Sequence, residues 1–493
     1  MDRLPQEIVD RIAALLPAGA IPMPEPPAPR HASKPGMLQR LASKVRREHH
    51  HPAPSRHWTR ASAAATSRRW QRAVEPLVYA ALVLRGGDPA LERLRAALAR
   101  RPERCAHIRS LTVVLPLTHR HWTGRGVDAE ALLRPLFSVL CEVRTTATVD
   151  LTLRFEAGHP GMRHRCRQGI VFDGDEPAVA VAGCVRRLDF TPAAPETERG
   201  RRDVLQLHLA EQARLVLEAA RFPNLCAVVW HAVESEAQAE RDAARDAFAA
   251  CLAENLPRHR GVTEVSVALR LGRLGFTVCA ASGVGAASYG QLLQTLAAAT
   301  HVEELRYAGV VAPALLDNGR WQALRRLTVC MALLDPEGRF YFAGDVYADA
   351  ELDTPPGWCP LAPWDRDDER FREVPDEEVM APLLRALAGL LERLPRLETA
   401  RLVVRRGTLG APPWEVCYCA PGRTDKGAWV PADGGDGDGD GDGDGRPSVW
   451  FVTGRWRPGD ELVREFRRAG RGAGHGEEAS VMYWSMEDSP VRL

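Results

Sequence analysis

A short apolar pattern recurs along the middle of the chain and constrains the fold more than any other feature. Each copy has an apolar residue, two others, an apolar residue, one other and a third apolar residue. Most copies follow a stretch with helical periodicity. The copies are Ile108-Leu111-Val113, Val185-Leu188-Phe190, Val262-Val265-Val267, Val302-Leu305-Tyr307, Leu324-Leu327-Val329 and, more weakly, Leu397-Ala400-Leu402. Regular alternation of helix and strand predicts stacked α/β units with a parallel sheet.

The spacing of the copies indicates a repeat. The central positions 111, 151, 188, 225, 265 and 305 are 37 to 40 residues apart, and a fixed period of this kind is typical of a solenoid. The pattern resembles the core of leucine-rich repeats, whose usual period is about 20–29 residues and whose strand is followed by Asn. Other residues stand at the place of that Asn, namely Pro116, Ala193, Arg270, Val310 and Ala332. We therefore predict an irregular leucine-rich-repeat-like α/β solenoid over residues 80–430, with a flat α/β sheet as the alternative.

The stretch MDRLPQEIVDRIAALLP at the start of the sequence has the periodicity of an amphipathic helix. Ile8, Ile12, Leu15 and Leu16 follow the spacing i, i+4, i+7, i+8 and so lie on one face. Pro5 suits the first turn, where a missing N–H is tolerated. A helix this short is marginal by itself, so its apolar face needs a partner.

A second amphipathic segment follows at ASAAATSRRWQRAVEPLVYAALVL. Trp70, Val74 and Leu77 lie on one face of the predicted helix. Pro76 predicts its fraying end, because proline disrupts a helix interior. The sequence YAALVLRG after it is rich in residues that favour a strand.

Together the two segments resemble the two halves of an F-box, in the style of fungal members of that family. The matching positions are Leu4, Pro5, Glu7, Ile8, Ile12, Leu15 and Leu16 in the opening half and Ser67, Arg68, Trp70, Val74, Leu77 and Tyr79 in the closing half. The resemblance implies a helical region at 1–79 that docks on the Skp-type adaptor of a cullin–RING (SCF-type) ubiquitin ligase. The docking residues that it implies are Leu4, Pro5, Ile8, Ile12, Leu15, Leu16, Trp70, Val74 and Leu77. An ordinary helical hairpin packed on the next domain is the alternative.

In the F-box family a short turn and a helix usually separate the two halves. In this chain residues 18–60 make that separation much longer. They are Pro-rich and then basic, with eight Lys and Arg residues against two acidic ones. This composition lacks the apolar content for a core and predicts a disordered insert. A basic interaction or nuclear-targeting tract is the alternative interpretation.

Three further segments depart from the repeat. Residues 331–375 are long and aromatic, which predicts either a binding loop or a segment anchored by its aromatic side chains. The Asp/Gly run within 431–447 predicts a flexible acidic linker, since Val449 stands where a calcium loop needs a bidentate Glu. The sequences SVWFVTGRW and SVMYWSME, within 448–493, predict a terminal pair of strands that cap the last repeat.

Composition and motifs narrow the function classes. The chain of 493 residues has 65 Lys and Arg against 64 Asp and Glu, and this balance does not favour nucleic acid or a membrane as partner. Its 11 cysteines include no C-x-x-C pair, which argues against a zinc ribbon. Neither a signal peptide nor a spanning segment is predicted, so we expect a cytoplasmic or nuclear protein. The common catalytic motifs are missing, so we expect no enzyme activity, catalytic residues, metal or cofactor.

These features lead to one functional hypothesis and two alternatives. The hypothesis is a non-catalytic adaptor that binds a Skp-type adaptor, and through it a cullin, and presents a protein substrate for ubiquitin-dependent degradation. The alternatives are an interaction scaffold whose F-box is non-functional and an α/β enzyme. The residues at exposed strand positions share no sign or chemistry along the sequence, so the substrate itself is not predicted.

Overall fold

The computed structural model describes most of the chain beyond the amino-terminal region. The described residues are 68–85, 88–118, 121, 127–143, 148–157, 181–190, 204–205, 207–217, 221–234, 237–270, 286–343, 374–404, 414–422, 446–453, 456–471 and 477–484. The predicted insert at 18–60 and nearly all of the predicted linker at 431–447 lie outside these ranges.

Helices and strands alternate along the described chain. The helices are α1 (Arg68–Ala80), α2 (Asp88–Arg100), α3 (Ala129–Glu142), α4 (Leu209–Leu217), α5 (Gln238–Asn255), α6 (Ala286–Ala297), α7 (Pro313–Asp317), α8 (Glu377–Arg393) and α9 (Asp460–Gly470). Short 3₁₀ helices span Pro102–His107 and Leu256–Arg258.

The strands are mostly five to nine residues long. They are β1 (Ala81–Arg85), β2 (Ser110–Leu117), β3 (Val149–Ala157), β4 (Val185–Asp189), β5 (Val204–Leu205), β6 (Ala227–Val233), β7 (Glu264–Arg270), β8 (Glu304–Gly309), β9 (Arg326–Met331), β10 (Phe342–Ala343), β11 (Val374–Pro375), β12 (Thr399–Val404), β13 (Trp414–Cys419), β14 (Ser448–Val452) and β15 (Ser480–Trp484).

One large sheet organises the molecule. Its strand order is β1-β2-β3-β4-β6-β7-β8-β9-β12-β13-β14-β15, with β5 paired to β3 off this path. The pairs from β1 to β12 are parallel, β13 is antiparallel to both of its neighbours, and β14 and β15 are again parallel. The prediction of an α/β fold with a largely parallel sheet is confirmed. Strand order follows chain order throughout this path.

The helices pack on one another in sequence. Helix α2 contacts α3, and each helix from α4 to α9 contacts the next. Parallel crossovers are right-handed, so strands laid down in chain order place their helices on one face of the sheet. The main core lies between that helix layer and the facing side chains of the sheet.

The register aligns the repeated pattern across the sheet. Leu111, Leu151, Leu188, Val228, Val265, Leu305, Leu327 and Ala400 stand side by side on successive strands, and all are buried. The prediction that residue 225 is a central position is wrong. Leu225 is the first apolar residue of its copy and lies before β6, where it is buried, and Val228 takes the central place.

Helix α1 extends further than predicted. It runs through Pro76 to Ala80, and β1 begins at the next residue. An interior proline costs a helix about 3 kcal/mol. Tertiary contacts of the two residues that precede Pro76 stabilise the helix against this cost. Val74 is buried, and Glu75 binds Arg101 and Arg104 near the first 3₁₀ helix.

The aromatic segment at 331–375 is tied down at both ends. Strands β10 and β11 pair antiparallel, and both Tyr341 and Phe342 are buried. The Tyr341 hydroxyl donates to the Val311 carbonyl at 2.7 Å. These two aromatic residues therefore act as anchors; Trp358 and Trp364, also in this segment, lie outside the described residues.

The carboxyl-terminal strands are present as predicted, with an added helix between them. Helix α9 connects β14 to β15, and Phe466 of α9 packs edge-on against Phe451 of β14 at 5.3 Å between ring centroids. The prediction did not include α9, nor β13, which joins β12 to β14 in the sheet.

Candidate interaction face of the sheet

Alternate side chains of the central strands point away from the helices. Leu305 points into the core, so Glu304 and Arg306 on either side of it lie on the opposite face, away from the layer of described helices; we term it the helix-free face. On this face Ser266, Arg306, Thr328 and Arg401 stand in one row across β7, β8, β9 and β12.

The centre of this face carries paired charges. Glu264 stands directly opposite Glu304 on the adjacent strand, an arrangement that is unfavourable for two carboxylates. Arg187 lies 3.7 Å from Glu264, and Glu304 accepts from the Nε atoms of both Arg306 and Arg326 at 2.6 Å. The arginines therefore compensate the repulsion between the two glutamates.

A further pair lies on the neighbouring strands. The Arg401 guanidinium donates to both carboxylate oxygens of Glu415, at 2.7 and 3.1 Å. Hydrogen bonding to Glu415 raises the pKa of Arg401. We refer to Glu304, Arg306, Arg326, Arg401 and Glu415 as the arginine strip.

Burial in the arginine strip is asymmetric. The side chain of Glu304 is 8% exposed, whereas those of Arg306 and Arg326 are 60% and 53% exposed. Glu415 is 1% exposed and Arg401 is 29% exposed. Within the arginine strip the carboxylates are thus buried and the guanidinium groups of Arg306 and Arg326 are mostly exposed, so the exposed charge of the strip is positive.

A second polar cluster lies on the helix side of the sheet. Arg245 of α5 donates to both oxygens of Glu234, which follows β6, at 2.6 and 2.8 Å. Tyr289 of α6 donates to Glu234 at 2.7 Å, and its ring lies 3.5 Å from the Arg245 guanidinium carbon. Ser288 and Asp242 complete the cluster through a 2.7 Å hydrogen bond.

This cluster is internal, because Glu234, Arg245 and Tyr289 are all buried. Burial and the neighbouring Glu234 carboxylate raise the pKa of Tyr289 well above its usual range, so it remains a neutral donor. The cluster joins the end of β6 to α5 and α6 by hydrogen bonds within the protein. Its geometry serves to position these three elements.

Metal-ligand clusters and membrane-spanning helices are both absent from the described part of the chain. Within those residues, no group of three or more His, Cys, Asp or Glu side chains is placed to hold a metal ion. Among the described helices, none is long and apolar enough to span a membrane.

The predicted docking residues divide into two groups. Leu4, Pro5, Ile8, Ile12, Leu15 and Leu16 lie outside the described residues, while Trp70, Val74 and Leu77 lie on α1. Trp70 and Val74 are buried, yet neither belongs to the main core cluster. Leu77 is half-buried, so of the three it is the side chain with surface accessible to a partner.

Helix α1 is fixed to the first α/β unit by polar contacts. The Nε of Arg104 donates to Glu75 at 2.6 Å, and Arg101 lies 3.3 Å from the same carboxylate. The Arg104 guanidinium also lies 5.0 Å from the centre of the Tyr79 ring. The helix that carries Trp70 and Leu77 is therefore held against the sheet-bearing part of the chain.

Sequence reasoning did not find the arginine strip. The sequence does contain an indication of it, because charged residues stand beside the central apolar residue of two copies of the pattern. Glu304 and Arg306 flank Leu305, and Arg326 precedes Leu327. The register of β8 against β9 was needed to bring these charges together.

Comparison of the chain with protein-family models, with curated proteins and with solved structures gives no significant match.

Proposed function

We propose that this protein is the substrate-recognition adaptor of a cullin–RING ubiquitin ligase. The F-box-like region at 1–79 docks on a Skp-type adaptor, and the α/β region beyond it is a leucine-rich-repeat-like solenoid that binds a protein substrate. The protein supplies proximity and orientation rather than groups that react.

The observation that carries the proposal is the direct connection between the two regions. Helix α1, which holds the closing half of the F-box-like motif, ends at Ala80, and β1 of the sheet begins at Ala81. Glu75 further fixes α1 through Arg101 and Arg104. A connection without a linker holds a bound substrate at a set distance from the docked ligase, as an adaptor requires.

The repeat geometry supports the solenoid part of the proposal. Strands in chain order are what stacked repeats produce, because each unit contacts its neighbours along one axis. Leu305 and Leu327 occupy equivalent positions on β8 and β9 and are 22 residues apart, which falls within the usual leucine-rich-repeat period of about 20–29.

Co-purification with a Skp-type adaptor tests the docking. We expect the full chain to retain the adaptor, and the triple variant Leu4→Asp, Pro5→Ala, Ile8→Asp to lose it, because charges on the apolar face exclude a hydrophobic partner. The matched control is Gln6→Asp, which adds a charge between these positions but off the apolar face. Leu77→Asp tests the half-buried position on α1 in the same way.

The outcomes separate the candidate functions. Loss of the adaptor in the triple variant and in Leu77→Asp, with retention in Gln6→Asp, supports docking. Equal recovery with all variants, or with none, refutes it and leaves the interaction scaffold as the better account. Deletion of residues 20–58 tests the insert, since retained binding shows that the two halves act together without it.

A further inference from the structure

We infer that the arginine strip binds an extended acidic segment of a partner protein, with acidic side chains three residues apart. The inference rests on the proposed function in one respect, namely that the partner is the substrate of the adaptor. It is carried by the burial, charge and spacing of the strip.

The strip presents unused donors. A guanidinium group has five N–H donors in a fixed plane, and Arg306 directs its Nε and one terminal nitrogen to Glu304. Arg326 shares the same carboxylate. Both side chains are more than half exposed, so their remaining N–H groups are able to bind a second carboxylate, with charge-assisted geometry that suits arginine.

The charge of the strip is also incompletely balanced within itself. Three guanidinium groups stand against two carboxylates, because Glu304 serves both Arg306 and Arg326 while Arg401 is paired with Glu415. The exposed charge is positive because both carboxylates are buried. This is the complementarity that an acidic ligand requires.

The spacing of the strip defines the ligand. Arg306 and Arg401 occupy the same row on β8 and β12 and are separated by one strand, with Thr328 between them. Strands lie about 4.8 Å apart, so the two positions are about 10 Å apart. One turn of an extended polyproline II helix, three residues at about 3.1 Å each, has nearly this length and places residues i and i+3 on the same side. A peptide that crosses the strands in this conformation with acidic residues at i and i+3 therefore meets both arginines.

The observations favour protein over nucleic acid. Duplex DNA carries a charge about every 1.7 Å, and its binding proteins neutralise many phosphates. The strip offers three guanidinium groups, two of which share a buried glutamate, and the chain as a whole has a net charge of +1. A few carboxylates on one peptide match this charge better than a polyphosphate does.

Fluorescence anisotropy on the purified full chain tests the inference. The probe is a labelled Gly/Ser peptide with Glu at every third position; the comparison probes carry Gln at those places, carry the same glutamates in one contiguous run, or are single-stranded DNA of equal length. We expect the spaced Glu peptide to bind at least ~10-fold more tightly than the Gln peptide, with affinity that falls as salt rises.

Substitutions in the arginine strip should change the affinity for the peptide in opposite directions. Arg306→Gln with Arg326→Gln should weaken the spaced Glu peptide about tenfold, whereas Glu304→Gln, which removes a carboxylate and leaves both arginines, should strengthen it. The matched control is Arg258→Gln with Arg385→Gln, two exposed arginines from the helix layer and its connections, and it should bind as the parent does. A loss of folding cannot produce the gain expected for Glu304→Gln.

Several results would overturn the inference. These are equal binding of the Glu and Gln peptides, equal losses in the strip and control variants, weaker binding by Glu304→Gln, tighter binding of the DNA, or a preference for the contiguous glutamates. The measurement contains no Skp-type adaptor, so its failure leaves the docking result untouched, and a failure of docking leaves this one untouched.

Discussion

Arg245 and Glu234 form a bidentate ion pair between α5 and the end of β6, with N–O distances of 2.6 and 2.8 Å, and both side chains are buried. The Tyr289 ring from α6 covers the guanidinium. A charge taken out of water is tolerated only with a partner. The pair therefore links three elements whose positions depend on one another.

The first prediction concerns this pair. Glu234→Leu removes the bidentate carboxylate of the buried Arg245 and leaves it the 3.3 Å contact with Asp242, and it should lower the free energy of unfolding by about 3–5 kcal/mol. The double variant Glu234→Leu, Arg245→Met should recover most of that loss, since two apolar side chains of similar volume replace the pair. Urea unfolding of the parent, both single variants and the double variant measures the coupling. Losses that simply add would show that the two charges do not depend on each other.

The second prediction tests the two faces of the sheet at adjacent residues. Leu305→Ala opens a cavity in the core and should lower the free energy of unfolding by about 2–5 kcal/mol. Arg306→Ala, one residue further on the helix-free face, should lower it by less than about 1 kcal/mol, because the Arg306 side chain is mostly exposed and Arg326 remains bound to Glu304. Denaturant midpoints at equal slope report the difference. Similar losses at both positions would contradict the assigned alternation.

The third prediction uses two glycines in helices. At Gly470 a Cβ atom would lie 2.5 Å from the Ala479 nitrogen and 2.6 Å from the Glu477 oxygen, both backbone atoms. At Gly290 a Cβ meets nothing within 4 Å. Gly290→Ala should stabilise by about 0.5–1 kcal/mol through helix propensity.

Gly470→Ala should instead destabilise the protein, because α9 must move away from the segment before β15. Thermal unfolding of the two alanine variants against the parent gives the sign of each change. An increase in melting temperature for Gly470→Ala would mean that α9 is not held this closely.

The fourth prediction concerns pH. Burial, and then the charge of Arg214, lower the pKa of His208 in the folded protein. In the unfolded chain a histidine takes up its proton near pH ~6.5, so the unfolded state binds more protons as the pH falls. Stability should therefore decrease from about pH 7.5 to about pH 5.5.

His208→Asn should reduce this pH dependence. His301, whose pKa is lowered by burial and by Arg260, should contribute in the same direction. Urea unfolding at several pH values measures the slope for each variant and for the double variant. If the free energy of unfolding of the double variant depends on pH as steeply as that of the parent, neither histidine causes the pH dependence.

Local patterns were sufficient for the repeated core. Leu111, Leu188, Val265, Leu305 and Leu327 were predicted as central positions, and the register places them side by side. Such prediction works because an inward-facing apolar residue is required on every strand of a sheet covered by helices. Leu225 was misassigned because two apolar positions of one copy look alike in sequence, and only strand pairing distinguishes them.

The sequence by itself determined the α/β class, the parallel sheet and the buried row of apolar residues across it, since each depends on local periodicity. Tertiary structure alone decided which charges meet. Glu304 and Arg326 are 22 residues apart, and Glu234 and Arg245 belong to different elements, so nothing in the local pattern pairs them. Register and helix packing bring them within hydrogen-bonding distance because strand spacing and burial, rather than sequence separation, set the distances between side chains.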